Sequence, residues 1–407
     1  CWFSVVTLVS LLSLCWLYIC LVTFNDREDV NQGFTKLKRW VNWFMVVIIV
    51  SAVLTSYCIL LLLFALLQVA LGEQLDLHWL HKATAPFLQF GIVGALTLLS
   101  PFVFQGFHTA KSKVLIAVAF VAVSAAIFLC PLFIQSPCLI ELNELPEKPK
   151  LFGHRGAPML APENTMMSFN RSIACGVKAF ETDVQLKDRV PFLMHDNVSE
   201  FLSRTTNVKE KFPDKRFTYS ANLTWEELQS LNAGEWFLKT DPFRSVSQLS
   251  EEEKKTARNQ TIPSLLQLLN LAKQHNISVI FDILWLPPAE RESVNLTAPG
   301  FIQVYNNEEE MIKKGGDHLN VKYNKMSTEK INLRSKNITV NLWVVNERWL
   351  FSLLWCAGAS SVTTNSCHLL KDMDSPDWIM GQNKYILIWI AVDVLSFLIM
   401  AALYIFQ

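Results

Sequence analysis

The sequence lacks any imbalance of charge. Its 407 residues carry 36 Lys and Arg against 36 Asp and Glu, so the basic footprint that phosphate-backbone binding requires is missing and nucleic-acid recognition is excluded. It also lacks CxxC pairs and any Cys/His metal-ligand spacing, which leaves no thiolate-type metal site among its 9 cysteines. Above all, charge is absent from long stretches. Residues 1–140 hold 7 basic and 5 acidic residues, and residues 385–407 hold a single acid, Asp393. Residues 141–384 hold the other 29 basic and 30 acidic residues, about 24% of that segment and ordinary for a water-soluble domain.

Two populations therefore share one chain. A bilayer's hydrocarbon core is crossed by about 20 apolar residues in a helix, and five segments meet that need: 1–24, 41–71, 85–107, 114–135 and 385–407. The first has no basic start and begins at Cys1, which fits a cleavable signal poorly. It points instead to a chain cut short, with one more span expected upstream. Loop charge sets the orientation. The loop at 25–40 carries four Lys/Arg and that at 108–113 carries two, whereas 72–84 carries only Lys82, so the first and third loops are predicted cytoplasmic. The polar segment 141–384 then lies outside the cell or in a lumen, with the plasma membrane as the expected location and the lipid bilayer as a partner.

Sequons give an independent signal of the same kind. Asn170, Asn197, Asn222, Asn259, Asn276, Asn295 and Asn337 each begin an Asn-x-Ser/Thr triplet, and all of them fall in the polar segment. Cys138, Cys175, Cys356 and Cys367 lie there too and are candidates for pairing in an oxidising compartment, with three connectivities open. The domain organisation expected is four visible transmembrane helices in 1–140, an extracellular or lumenal domain in 141–384, and a final transmembrane helix in 385–407.

Within that domain, short apolar runs alternate with amphipathic ones, the signature of parallel β/α architecture. Strands are predicted at 150–154, 179–186, 191–194, 278–283, 301–305, 318–323, 339–345 and 361–364, and helices at 163–175, 224–231, 264–275, 328–336 and 348–357. The charged run 251–255 reads as a solvated loop. Eight strands in this length suggest a TIM-type (β/α)8 barrel, whose chemistry sits at the C-terminal strand ends. Residues 187–189 are too few for a parallel crossover, so the second and third strands are expected to form a hairpin. Phe281-Asp282-Ile283 runs straight into Leu284-Trp285-Leu286 with no helix between two strand-like halves. Either the halves are one strand, or a connecting segment present in a longer parental protein is missing here.

The chemistry-bearing residues cluster at those strand ends. Glu181 and Asp183 are spaced i, i+2 and share one face of a strand, a costly juxtaposition of like charges unless a cation neutralises it. With Asp282 as a third oxygen ligand, the set suits Mg²⁺ or Ca²⁺ rather than zinc. His154 and His195 flank it as the acid and base that phosphodiester cleavage needs, and Arg155 is placed to hold the phosphate. Trp343 is expected to line the substrate pocket.

The blocks His154-Arg155-Gly156, Ala161-Pro162-Glu163-Asn164-Thr165, Glu181-Thr182-Asp183-Val184, His195-Asp196 and Arg204-Thr205-Thr206 resemble the glycerophosphodiester phosphodiesterase domain. Asn341 to Asn346 and Ser361 to Asn365 are similar to that family's last two strands, and the spans resemble its multi-pass animal branch. The resemblance implies a TIM barrel binding a divalent ion through Glu181, Asp183 and Asp282. It also implies acid/base catalysis by His154 and His195, acting on glycerophosphocholine, glycerophosphoinositol or glycosylphosphatidylinositol-linked substrates. The sequence departs from the family at Leu284, where a phosphate-contacting Lys is usual, and at Arg189, where the hairpin usually has Gly. Two rivals stay open: a catalytically weak membrane signalling or scaffold protein that keeps the barrel, and a phosphoinositide-type phospholipase C ectoenzyme.

Overall fold

The computed structural model describes residues 77–109, 113–196, 202, 204–213, 220–283, 302–326, 337–377 and 379–406. The chain divides into two compact units, residues 1–136 with 382–407, and residues 137–381.

In the first unit three described helices, Leu77–Thr109, Lys113–Leu129 and Gln382–Ile405, carry segments long and apolar enough to cross a membrane. They coincide with the expected spans at 85–107, 114–135 and 385–407; the expected spans at 1–24 and 41–71 lie outside the described residues. Several polar side chains of these helices bond from one helix to another. Thr97 and Ser396 hydroxyls lie 2.6 Å apart, Gln89 donates to the Ile127 carbonyl at 2.6 Å, and the Trp389 indole donates to the Phe128 carbonyl at 2.9 Å. In hydrocarbon such groups have no water to bond, so pairing between helices is what makes them tolerable.

The second unit is built on seven strands: β1 Lys150–His154, β2 Ala179–Lys187, β3 Val190–Leu193, β4 Ser278–Ile283, β5 His318–Lys322, β6 Thr339–Trp343 and β7 Ser361–Thr364. Six run parallel in the order β4-β2-β1-β7-β6-β5, and β3 alone is antiparallel, paired with the far end of β2. The expected strand 301–305 is reduced to one parallel bridge, Tyr305 to Leu319. Eight strands were expected and seven are described. β4 and β5 end the described path, and the residues between them that would bear on closure, 284–301, lie outside it.

Local signals account for most of the helices. Ser264 and Gln267 form a capping box that starts Leu265–His275, and Thr224 with Glu227 does the same for Trp225–Gln229. Met166–Ala174 begins after the cap Thr165, three residues later than the periodicity predicts, because Glu163 and Asn164 are committed elsewhere. The run read as a solvated loop is instead the helix Glu251–Arg258. Its Ser250/Glu253 capping box, three acids in the first turn and Lys255 and Arg258 in the last stabilise both ends.

Arg348–Cys356 is buried at every position from Leu350 to Cys356. Part of it is covered by the chain's entry into the unit. Cys138 is bridged to Cys356, Trp355 donates to the Pro146 carbonyl at 2.8 Å, and the amide of Met380 donates to the carbonyl of Cys138 at 3.0 Å. Cys175 is bridged to Cys367, which resolves the three open connectivities into one.

Candidate active site

The C-terminal ends of the parallel strands carry the polar residues, and the first two strands bring most of them together. β1 ends at His154, and the chain turns back at once through Arg155 (φ 52°) and Gly156 (φ 92°). Gly156 is obligatory there: an added Cβ would stand 2.4 Å from Ser168 Oγ and 2.6 Å from a backbone carbon. Ser168, in the first turn of Met166–Ala174, fastens the turn by donating to the Arg155 carbonyl at 3.0 Å and accepting from the Ala157 amide at 2.8 Å. The Arg155 amide donates to both the main-chain oxygen of Glu181, at 2.9 Å, and its Oε2, at 3.1 Å.

His154 is held from one side. Its Nδ1 lies 2.5 Å from Asn365 Oδ1, just beyond β7, and its Nε2 lies 3.9 Å from Glu181 Oε2. An amide oxygen can only accept, so this contact puts the proton on Nδ1 and the lone pair on Nε2. Burial, and next the positive charge of Arg155, push the imidazole down to about 4, so it is neutral at physiological pH.

Glu181 and Asp183 share one face of β2, as their spacing requires. Asp183 is 2% exposed in its side chain, accepts from Asn164 Nδ2 at 3.0 Å, and lies 3.1 Å from Arg155 Nε. That last contact is an ion pair whose geometry falls outside a hydrogen bond, so among the described residues the buried Nε–H of Arg155 makes no hydrogen bond. Asp282 is the register partner of Asp183 on β4; its side chain lies outside the described residues.

The β2–β3 hairpin delivers the second histidine. Asp188 and Arg189 both adopt positive φ, 51° and 65°, as a two-residue turn between twisted strands requires. β3 therefore returns along β2 until the Met194 amide donates to the Asp183 carbonyl at 3.1 Å, and His195 is the next residue. His195 Nδ1 lies 2.8 Å from Asp196 Oδ1, and its ring is 42% exposed. Trp343 closes β6 at the same end of the sheet and is partly exposed, in register with Lys322.

Five residues without an assigned role prove to hold this centre: Glu163, Asn164, Asp196, Arg204 and Asn365. Glu163 accepts from Arg155 at 3.0 Å and from Arg204 at 2.6 and 3.1 Å. Burial alone would raise its carboxyl, but the hydrogen bonds and charge of Arg204, with the charge of Arg155, outweigh it and hold it at about 2. All five stand inside or beside the sequence blocks noted above. Their partners, up to 211 residues away, are what spacing does not disclose.

The donor set favours a hard cation. Glu181 and Asp183 present only oxygen, and the one guanidinium facing them, Arg155, is shared with Glu163. Among the described residues no group of three His, Cys, Asp or Glu stands ready to hold an ion. Two carboxylates are described and Asp282 is level with them in backbone, which fits a divalent ion without specifying which.

Residues 154–384 match the model of the glycerophosphoryl diester phosphodiesterase family. The chain belongs to that family. It is a phosphoric diester hydrolase with the family's TIM-like β/α fold. Among curated relatives, the mouse (Mus musculus) protein named glycerophosphoinositol inositolphosphodiesterase GDPD2 is 40% identical over 477 residues, covering 100% of this chain and 88% of its own. The human (Homo sapiens) glycerophosphodiester phosphodiesterase domain-containing protein 5 is 37% identical, covering 100% of this chain and 78% of its own. Among solved structures, an Oleispira antarctica phosphodiesterase in complex with sn-glycerol-3-phosphate aligns at 19% identity and TM-score 0.45, covering 55% of this chain and 95% of its own. The mouse alignment is longer than this chain's 407 residues by 70, so that relative has residues at positions this chain does not.

Proposed function

We propose that the protein is a membrane-anchored, divalent-cation-dependent ectoenzyme that hydrolyses water-soluble glycerophosphodiesters, glycerophosphoinositol or glycerophosphocholine among them. The observation that carries this reading is the Nε–H of Arg155, ion-paired to Asp183 but without a hydrogen bond among the described residues, beside a neutral histidine and an acidic pair. A phosphoryl oxygen supplies that hydrogen bond. The mouse relative's name supports glycerophosphoinositol as the first substrate to try.

In this reading one histidine takes a proton from the attacking water as its oxygen bonds to phosphorus. The other gives a proton to the alkoxide as the phosphorus–oxygen bond to the leaving alcohol breaks. His154, with Nε2 unprotonated, is suited to the first task and His195 to the second. Arg155 holds the phosphate and its growing charge. Glu181, Asp183 and Asp282 would hold the cation, which when bound supplies further positive charge to the phosphate. The finer location, an external face of the plasma membrane, rests on loop charge and on the sequons. The five described, Asn170, Asn222, Asn259, Asn276 and Asn337, are all exposed, while Asn197 and Asn295 lie outside the described residues. The two disulfides fit the same compartment.

A second reading, a barrel with weak catalysis and a signalling or scaffold role, is favoured by Leu284 standing two residues after Asp282 and by the residues present in the mouse relative and absent here. The test is ³¹P NMR of glycerophosphoinositol and glycerophosphocholine incubated with the full chain, with and without EDTA. Chelator-sensitive release of a phosphomonoester supports the enzyme, and no turnover supports the scaffold. A cyclic inositol phosphate as product supports the phospholipase C reading.

A further inference from the structure

Arg204 bridges two largely buried carboxylates, and no proton or phosphate step above uses it. Its Nε and Nη2 reach Asp196 Oδ2 at 3.0 and 2.8 Å, and its Nη1 and Nη2 reach the two oxygens of Glu163 at 3.1 and 2.6 Å. Its guanidinium carbon lies 5.6 Å from the centre of the Trp236 ring. Glu163 in turn binds Arg155, and Arg155 pairs with Asp183. Charges therefore alternate along one continuous path: Asp196, Arg204, Glu163, Arg155, Asp183. His195 stands at one end, and the turn that carries His154 stands near the other.

Each link has a physical purpose. Asp196 is almost wholly buried, and a buried carboxylate without compensation is costly; Arg204 supplies the compensation in a two-pronged geometry that lysine does not reproduce. Fixed in this way, Asp196 accepts from His195 Nδ1 and leaves Nε2 outside that contact. The ring itself, the most exposed member of the path, has no other hydrogen-bond partner among the described residues to fix its rotation. Trp236 is in turn anchored by its indole to the Ala233 carbonyl at 3.0 Å, in a turn where Gly234 lies too close to the Ala257 carbonyl for any side chain. The segment from Leu231 to Gln260 thereby buttresses Arg204 from behind.

We propose that Arg204 is a positioning residue: acting through Asp196, it fixes the orientation and tautomer of His195, and through Glu163 it ties that histidine to the turn carrying His154. The inference rests on the reading of His195 as an acid or base in phosphodiester cleavage.

The test is a double-mutant cycle on the full chain with glycerophosphoinositol as substrate, comparing Asp196→Asn, Arg204→Met and their combination, with His195→Ala as reference. Each single change is expected to lower kcat by roughly 10- to 100-fold, the usual cost of removing a partner that orients a working group, with KM within about twofold. The double variant is expected to lose no more than the worse single, because both act on one ring. Arg204→Lys is expected to recover little, and guanidinium added to Arg204→Ala to recover part of kcat. A loss confined to KM, or a double variant as slow as the product of the singles, overturns the proposal.

A second readout does not need turnover. Diethyl pyrocarbonate followed by peptide mass spectrometry should place one adduct on His195 in the parent chain and two in Arg204→Met and Arg204→Lys, where the ring is freed. An unchanged adduct pattern also overturns the proposal. Failure of the functional reading looks different: the parent chain, or His195→Ala relative to it, then shows no phosphodiesterase difference, while the adduct pattern still changes as stated.

Discussion

Replacing Glu163 by Gln removes the carboxylate on which two guanidiniums converge, and its cost follows from the site's electrostatics. The carboxyl titrates near 2 instead of 4.5, held by Arg204 and Arg155 against its own burial. At about 1.36 kcal/mol per pKa unit, that difference corresponds to about 3 kcal/mol of folding stability at neutral pH. The folded-state pKa lies below the unfolded one, so this contribution is complete above pH 4.5 and disappears as pH falls through 2. Glu163→Gln should therefore lower the melting temperature of the catalytic unit at pH 7 by about 6 to 12 °C, taking 2 to 4 °C per kcal/mol for a unit of this size. The gap between parent and variant should narrow to about half or less by pH 3. His154 also weakens the fold in acid, since its depressed pKa means the unfolded chain takes up its proton first, and does so more in the variant, because Glu163 is one of the charges that raise that pKa. Tryptophan-fluorescence melts of the full chain in detergent at pH 7, 5 and 3 measure the gap. A variant that melts within 2 °C of the parent at pH 7, or a gap that stays constant from pH 7 to 3, would refute the ion-pair account.

Three further outcomes are expected. Gly156→Ala should abolish activity and destabilise the unit by roughly 3 kcal/mol or more, since it combines a left-handed backbone with contacts that backbone atoms cannot relieve; a fully active, undiminished variant would show that the turn after His154 is different. Arg189→Gly should raise stability by about 1 kcal/mol by relieving a positive φ in the hairpin, read as a higher melting temperature, and an unchanged or lower value contradicts it. Peptide-N-glycosidase should lower the apparent mass of protein made in animal cells, and non-reducing peptide maps should show Cys138 with Cys356 and Cys175 with Cys367; unglycosylated protein with free thiols would contradict an external domain.

Much of this architecture was legible because local chemistry and global fold agree. The i, i+2 acids and the short link at 187–189 predict what is observed, and helices form within the expected ranges 224–231 and 264–275. The helix Glu251–Arg258 was misread because its surface is almost entirely charged, and the Ser250/Glu253 box that decides it carries no hydrophobic period. The expected strand 301–305 survives only as a bridge at Tyr305. The network around Glu163 was invisible for another reason. Its members lie far apart in sequence, 41 residues for Glu163 and Arg204, and only the folding of β3 back along β2 unites them.

The measurement closest to the central claim is hydrolysis of glycerophosphoinositol by the purified full chain, followed by ³¹P NMR, for the parent, Glu181→Ala, Asp183→Ala, His154→Ala and His195→Ala. The account predicts turnover in the parent that EDTA stops and a divalent ion restores, and none in the two acid variants. Each histidine variant should be slowed by roughly 10²-fold or more. Full turnover in either histidine variant, or turnover indifferent to EDTA and to loss of Glu181 and Asp183, would contradict it.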